Sequence, residues 1–219
     1  MPERFDYIKD PEAIYAQSFE RVRAAVPSLA DLPPVLAALV ERIIHASAMP
    51  DVINDLVWSD DVVERAVTSL RQGKPVICDC QMVASGITAR FLPADNPVIV
   101  TLNHDDVAAE AKTLATTRSA AAVNRWLPDI EGAVVAFGNA PTALFHLLEQ
   151  LASGWPKPAA ILGFPVGFVG ATESKDALIS ANCGTPYITL TGRRGGSAMA
   201  AAAVNALAII AASGIGDDA

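Results

Sequence analysis

A chain of 219 residues with 24 acidic and 16 basic side chains, net charge −8, lacks the basic face that neutralising a phosphate backbone requires; this excludes a general nucleic-acid binder but not a small anionic ligand held by a few arginines. Hydrophobic residues make up 52% and charged residues 18%, enough apolar material for a large core and too little charge for disorder. The three cysteines, Cys78, Cys80 and Cys183, form no CxxC pair, so they read as structural thiols of a reducing cytoplasm rather than a disulfide framework or a zinc site.

The first residues, MPERFDYIKDPE, are charged and lack the apolar centre of a secretory signal, which again leads to the expectation of a cytoplasmic protein. Asp10 and Pro11 predict a helix start, a capping carboxylate followed by proline in the first turn. Ile14, Tyr15, Phe19 and Val22 make an apolar stripe on this helix. Ser18 falls inside the stripe, so its hydroxyl needs a protein or ligand partner. PPVLAALVERIIHASA predicts a second helix with Leu36, Leu39, Val40, Ile43 and Ile44 as its core face. At about 100° per residue, His45 lies opposite the middle of that stripe with Glu41 and Arg42, and so faces solvent or a cleft. A third helix is expected between a Ser59 cap and Gly73.

Beyond Gly73 the pattern changes. PVICDC, NPVIVTL, GAVVAFG, PAAILGF and PYITLTG are short apolar runs bounded by turn residues and predict strands. Between and after them, DDVAAEAKTLA, RSAAAVNRWL, PTALFHLLEQLA, ESKDALISA and SAMAAAAVNALAII predict helices. The last is alanine-rich and interrupted by Asn205, which fits a buried helix and not a membrane span. The alternation predicts one α/β domain over residues 1–219: three layers, α/β/α, with a mainly parallel five-stranded sheet within 74–213 and a helical N-terminal part over 1–73. Function in such sheets gathers in the loops at the carboxyl ends of the strands, here DCQMVASGITAR, GNAPT, GFPVGFVGATESKD and TGRRGGSAM.

TGRRGGSAM turns through glycines into a helix expected to be capped by Ser197, where free amides together with Arg193 and Arg194 would attract an anion. The same residues equally make a tight turn with solvated arginines, and no GxxxxGK(S/T) is present. GFPVGFVG lacks GxGxxG, which argues against a nucleotide-binding oxidoreductase of the same architecture. Asn139 belongs to a helix-entry turn, and Lys175 is either an ordinary surface lysine or an anion ligand. Arg118 stands at a helix start among small residues, where a cation is unfavourable unless something anionic meets it. His104 is expected to be solvated beside Asp105 and Asp106, and His146 to be packed in its helix. No histidine pair has metal-ligand spacing, and there is no GxSxG elbow. The residues alone describe an α/β protein with an anion-binding rim and one outward-facing histidine.

Several stretches together go further. FDYIKDPEAIYAQSFERVRA, RIIHASAMPD, VICDCQMVASGITA, TRSAAAV, GAVVAFGNAPTALFHLLE, PKPAAILGFPVGFVGATESKDAL and PYITLTGRRGGSAMAAAAVNALA resemble the precorrin-8X methylmutase family of cobalamin biosynthesis. The likeness runs from about Phe5 to about Ala208, and GNAPTALF and GFPVGFVGATESKDAL are its most specific blocks. It implies an isomerase with a three-layer α/β fold, a homodimer, and neither cofactor nor metal. It also implies the reaction, an intramolecular 1,5-sigmatropic shift of a methyl group from C11 to C12 of precorrin-8X that yields hydrogenobyrinic acid. The alternatives are a cobalt-precorrin-8 methylmutase and a non-catalytic tetrapyrrole carrier.

The resemblance assigns roles by position. His45, in IHA, corresponds to the family's catalytic histidine, a proton donor and acceptor; imidazole suits that work because it titrates near working pH. Ser18, in YAQSF, corresponds to a substrate-contacting serine, and Arg118, in TRSAAA, to an arginine at the substrate. Tyr15, Met82, Phe164 and Val166 are expected to wall an apolar slot for the macrocycle. Thr88, Ser119, Asn139, Lys175 and Arg193 are expected to join Arg118 around its carboxylate arms. The helix C-terminus and Glu41, one turn back, should favour a protonated His45. The chain departs from the family pattern in NHDDVAAEAKTLATT, where His104, Asp105 and Asp106 replace less acidic residues, which puts selectivity for a substrate arm in doubt.

Overall fold

Asp10 caps the first helix by accepting from the Glu12 amide at 3.2 Å, and α1 runs over Pro11–Ala25 in the computed structural model, which describes residues 5–181 and 183–214. The second helix, α2 (Pro34–Ser47), buries Leu36, Leu39, Val40, Ile43 and Ile44, the stripe its periodicity predicts. It stops at Ala48, whose φ of 54° is left-handed, a conformation that costs an L-residue about 1–2 kcal/mol. Pro50 then opens a short 3₁₀ turn, Pro50–Asp55.

The remaining elements alternate strand and helix, with β1 and α4 added to those expected. They are β1 (Leu56–Trp58), α3 (Val62–Arg71), β2 (Val76–Cys78), α4 (Gln81–Gly86), β3 (Val98–Ile99), α5 (Val107–Thr113), α6 (Arg118–Val123), β4 (Val134–Phe137), α7 (Pro141–Ala152), β5 (Ala160–Gly163), α8 (Ala171–Ser180), β6 (Tyr187–Leu190) and α9 (Ser197–Ser213). The sheet order is β1-β6-β5-β4-β2-β3, and every pairing is parallel except β1 with β6.

The sheet therefore has six strands where the pattern predicts five. The extra one, β1, lies inside the stretch expected to be helical. Three residues, LVW, carry no readable period; what makes them a strand is pairing with Leu190, Thr189 and Ile188, more than a hundred residues on. Two further local expectations fail. Ser59 does not cap α3, because its hydroxyl is bonded to the Tyr187 backbone; Asp61 occupies the cap position. Ser197 is the first residue of α9 rather than its cap, which is Gly196. Gly73 does follow the end of α3, in the left-handed region at φ 73°.

Side-chain alternation along the strands separates two cores. Val134 and Ala136 face one way with Leu162 and Ile188, beneath α2, α3 and α9. Val135, Phe137 and Ile161 face the other way, beneath α7 and Trp126. This is the predicted α/β/α sandwich. Outside it lies α1, which buries none of its residues and rests on α2. Its stripe is thus not a core face: Ile14 and Tyr15 remain 45% and 50% exposed. No helix among the described residues is long and apolar enough to cross a membrane.

Candidate active site

The parallel strands run in the order β3-β2-β4-β5-β6, so the chain leaves β2 in one direction and passes back over it to β4. The crevice between the carboxyl ends of β2 and β4 is where such a sheet offers a site. Here a protein group fills it. The Asp79 carboxylate, 3% exposed, accepts from the amides of Gly138, Asn139 and Ala140 at 3.0, 2.9 and 2.8 Å. Burial pushes its pKa up, and the three amides oppose that shift. The turn that leads into α7 is therefore already held by a protein carboxylate, and Asn139 stands in it with its side chain exposed at the crevice. Gly138 is required beside it: a Cβ there would lie 2.6 Å from the Ser197 Cα.

Around this edge lie most of the residues expected at the substrate. Met82, on α4 within a segment read as loop, is 66% exposed. Val166, Phe168 and Val169 are exposed apolar residues after β5, and the Arg193 guanidinium lies 5.6 Å from the Phe168 ring centroid. Arg118 is exposed at the start of α6, donating to the Leu102 carbonyl at 3.2 Å and to the Asn103 side chain at 3.4 Å. Thr117 caps α6 and joins it to α7 through the Thr142 hydroxyl at 2.8 Å. Ser119 and Thr88 are half-buried, and Asn205 fixes the Thr88 amide at 2.8 Å. In the acidic loop, Asp106 is paired to Arg125 at 2.6 Å, and the guanidinium holds the carboxyl below its usual range.

Two expected members are elsewhere. Phe164 is fully buried under the sheet's first core and cannot wall an open slot. Lys175 is neither a surface lysine nor an available anion ligand: it is fully buried and donates to the Arg194 carbonyl at 2.6 Å. One helical turn of ESKDAL cannot reveal this, because the acceptor comes from the turn after β6.

His45 stands on the last turn of α2, exposed, opposite the buried stripe. Its Nδ1 lies 2.9 Å from the Ser18 hydroxyl of α1. The Phe19 and Tyr15 rings stack on it, at centroid distances of 5.0 and 5.9 Å and interplanar angles of 25° and 26°. Arg42 lies over the other partner, 5.3 Å from the Phe19 centroid. Glu41 does not serve the histidine; it pairs with Arg23 at 2.7 Å. Ser18, Tyr15 and His45 are thus brought together, and Phe19 joins them from the same α1 stripe.

A clasp ties this helix pair to the sheet. Arg194 bonds Asp51 at 2.6 Å and also Asp55, both in the turn that follows α2. Thr191 donates its amide to the Asp55 carbonyl at 2.8 Å. Lys175 fixes the Arg194 backbone from beneath. The same clasp yields a pH prediction. Burial pushes the Lys175 ammonium from the ordinary lysine value of 10.5 down to about 8, against the charges of Asp176 and Asp55. Between these values the unfolded chain holds the proton and the folded one does not, so this group makes folding stability rise with pH through that window. Denaturant titrations of wild type and Lys175→Met should therefore differ by an amount that grows in favour of wild type from about pH 8 to about pH 10. A constant difference would show that the ammonium is not desolvated.

The precorrin-8X methylmutase (CbiC) family model matches residues 13–210. A precorrin-8X methylmutase of Pseudomonas aeruginosa is 55% identical over 203 residues, covering 93% of this chain and 97% of that protein. Another, from a Sinorhizobium species, is 50% identical over 208 residues, covering 95% and 98%. Among solved structures, a precorrin-8X methyl mutase from Thermus thermophilus matches with a TM-score of 0.84 at 38% identity, over 93% of this chain and 97% of that one.

Proposed function

Because the chain belongs to the precorrin-8X methylmutase family, we propose that His45, steadied by Ser18, is the proton donor and acceptor of its reaction and that cations at the carboxyl edge of the sheet hold the substrate's arms. The enzyme is an isomerase: it moves a methyl group from C11 to C12 of precorrin-8X in an intramolecular 1,5-sigmatropic shift, giving hydrogenobyrinic acid. Relatives at 50% identity and above bear the metal-free substrate in their names, which supports precorrin-8X over its cobalt complex.

The observation that carries the role of His45 is its 2.9 Å contact with Ser18, made across two helices. A methyl migration needs no nucleophile. It is eased by drawing electron density from the conjugated ring, which a hydrogen bond or proton delivered to the ring-C nitrogen does. With the Ser18 hydroxyl donating to Nδ1, neutral His45 carries its proton on Nε2 and presents a donor to the macrocycle. When the imidazole is doubly protonated, the same hydroxyl turns and accepts from Nδ1. Ser18 thus follows the ring through both states without moving, and Nε2 lends a proton and recovers it.

The apolar part of the slot comes from Tyr15, Met82 and Val166, and the arms meet Arg118 and Arg193, with Asn139, Thr88 and Ser119 as polar neighbours. Exposed apolar groups such as Phe168 and Val169 are consistent with a homodimer, and we place a biosynthetic enzyme of this family in the cytoplasm. An absorbance assay with precorrin-8X tests the function: conversion to hydrogenobyrinic acid is expected, and tight binding of the pigment without conversion would favour the carrier. In the same assay Ser18→Ala should lower kcat by about 10- to 100-fold, the worth of an orienting hydrogen bond to an acid–base group. Its melting temperature should barely move, since α1 buries nothing. A large fall in melting temperature with intact kinetics would make Ser18 a structural hydroxyl.

A further inference from the structure

Beside His45, α1 and α2 leave a cavity of about 430 Å³ whose walls include Ile14, Ser18, Arg21, His45, Ala48 and Pro50. That volume is at the low end for ligand pockets and takes one edge and one arm of a tetrapyrrole rather than the whole ring. Among the described residues, Arg21 is the only ionisable side chain besides His45 on its wall, and most of the rest is hydrocarbon. Arg21 follows Ser18 by three residues on α1, so the two point to the same side with Cβ atoms about 5–6 Å apart. Gln17, one turn before Arg21, lines the same wall. Among the described residues Arg21 makes no ion pair and no side-chain hydrogen bond, whereas the neighbouring cations are engaged: Arg23 with Glu41, and Arg42 over Phe19.

We propose that Arg21 is a substrate-binding residue of this reaction, clamping a carboxylate arm of the macrocycle in the cavity that contains His45 and Ser18. The proposal rests on the methylmutase reading of that site. A guanidinium takes a carboxylate through two parallel hydrogen bonds, and hydrocarbon walls strengthen the pair by excluding water. Holding one arm a helical turn from Ser18 would fix the position of the macrocycle relative to Nε2 of His45.

The test uses the whole enzyme, with absorbance titration of hydrogenobyrinic acid and of its fully methyl-esterified form, and turnover of precorrin-8X. Arg21→Ala is expected to weaken binding of the free acid about 10- to 100-fold, to raise KM in proportion, and to change kcat much less. Arg21→Lys should recover part of the loss. Against the ester, wild type and Arg21→Ala should bind within about threefold of each other. Unchanged affinity of Arg21→Ala for the free acid would overturn the proposal, as would an equal loss against acid and ester. Either result with an active wild type leaves the methylmutase reading intact; a wild type that neither binds nor converts the pigment removes both.

Discussion

His45→Ala is expected to lower kcat for precorrin-8X by about 10²- to 10⁴-fold, the usual worth of a positioned acid–base group. The fold should survive the change. The ring is exposed, its one hydrogen bond is to Ser18 on the outermost helix, and its stacking partners Tyr15 and Phe19 belong to that helix too. Stability should therefore fall by no more than about 1 kcal/mol, the net value of a solvated hydrogen bond. Pigment affinity should change only a few-fold, because binding is carried by the arms and the ring faces. Adding Ser18→Ala to His45→Ala should cost little more in kcat, since the serine's part in the proton transfer runs through the imidazole; groups that work as a unit are not additive. A His45→Ala enzyme with kcat within about fivefold of wild type would remove the histidine from the chemistry while leaving the isomerase assignment intact.

Asp79→Ala is expected to produce the largest loss of stability, about 3–5 kcal/mol. Three amides, those of Gly138, Asn139 and Ala140, lose their common acceptor at the start of α7. Each buried donor left unmade costs about 1–3 kcal/mol. Part is recovered because the variant no longer buries a carboxylate, whose pKa burial already pushes up, and because water can enter the space. For a domain of this size the loss corresponds to roughly 6–20 °C in melting temperature. Asp79→Asn should be intermediate, since one side-chain oxygen still accepts while its NH₂ meets the amides donor to donor. Calorimetry of the three proteins reads this directly. A shift of less than about 2 °C for Asp79→Ala would mean that water satisfies the three amides and that Asp79 does not organise the GNAPT turn.

The likeness to methylmutases and the local periodicity were legible for different reasons. The buried face of α2 follows from residues three and four apart, so the outward aim of His45 could be read before any neighbour was known. The five parallel strands were equally legible: β2, β4, β5 and β6 are continuous apolar runs in the buried part of the sheet, and β3, a partly exposed edge strand, is still an apolar run between turn residues. The inward set of Ser18 was read from its stripe, but its partner was not: the hydroxyl meets His45 of α2, while Val22 of the same stripe packs against the core. Arg21 carries no signal of its own among the several charges on α1; its three-residue spacing from Ser18 gains meaning only from the cavity both line.

Taken by itself, then, the sequence determined the helices other than α4, the parallel α/β alternation, the orientation of His45 and, through its motifs, the family. These depend on residues a few positions apart or on blocks preserved intact. Tertiary structure alone decided that LVW is an antiparallel edge strand, that Lys175 and Phe164 are buried, that Glu41 serves Arg23, and that Asp79 fills the crevice between β2 and β4. Each of these depends on a partner many residues distant. A side chain's local pattern says which way it points, but not which hydrogen-bond acceptor, charge or apolar wall the folded chain brings to meet it.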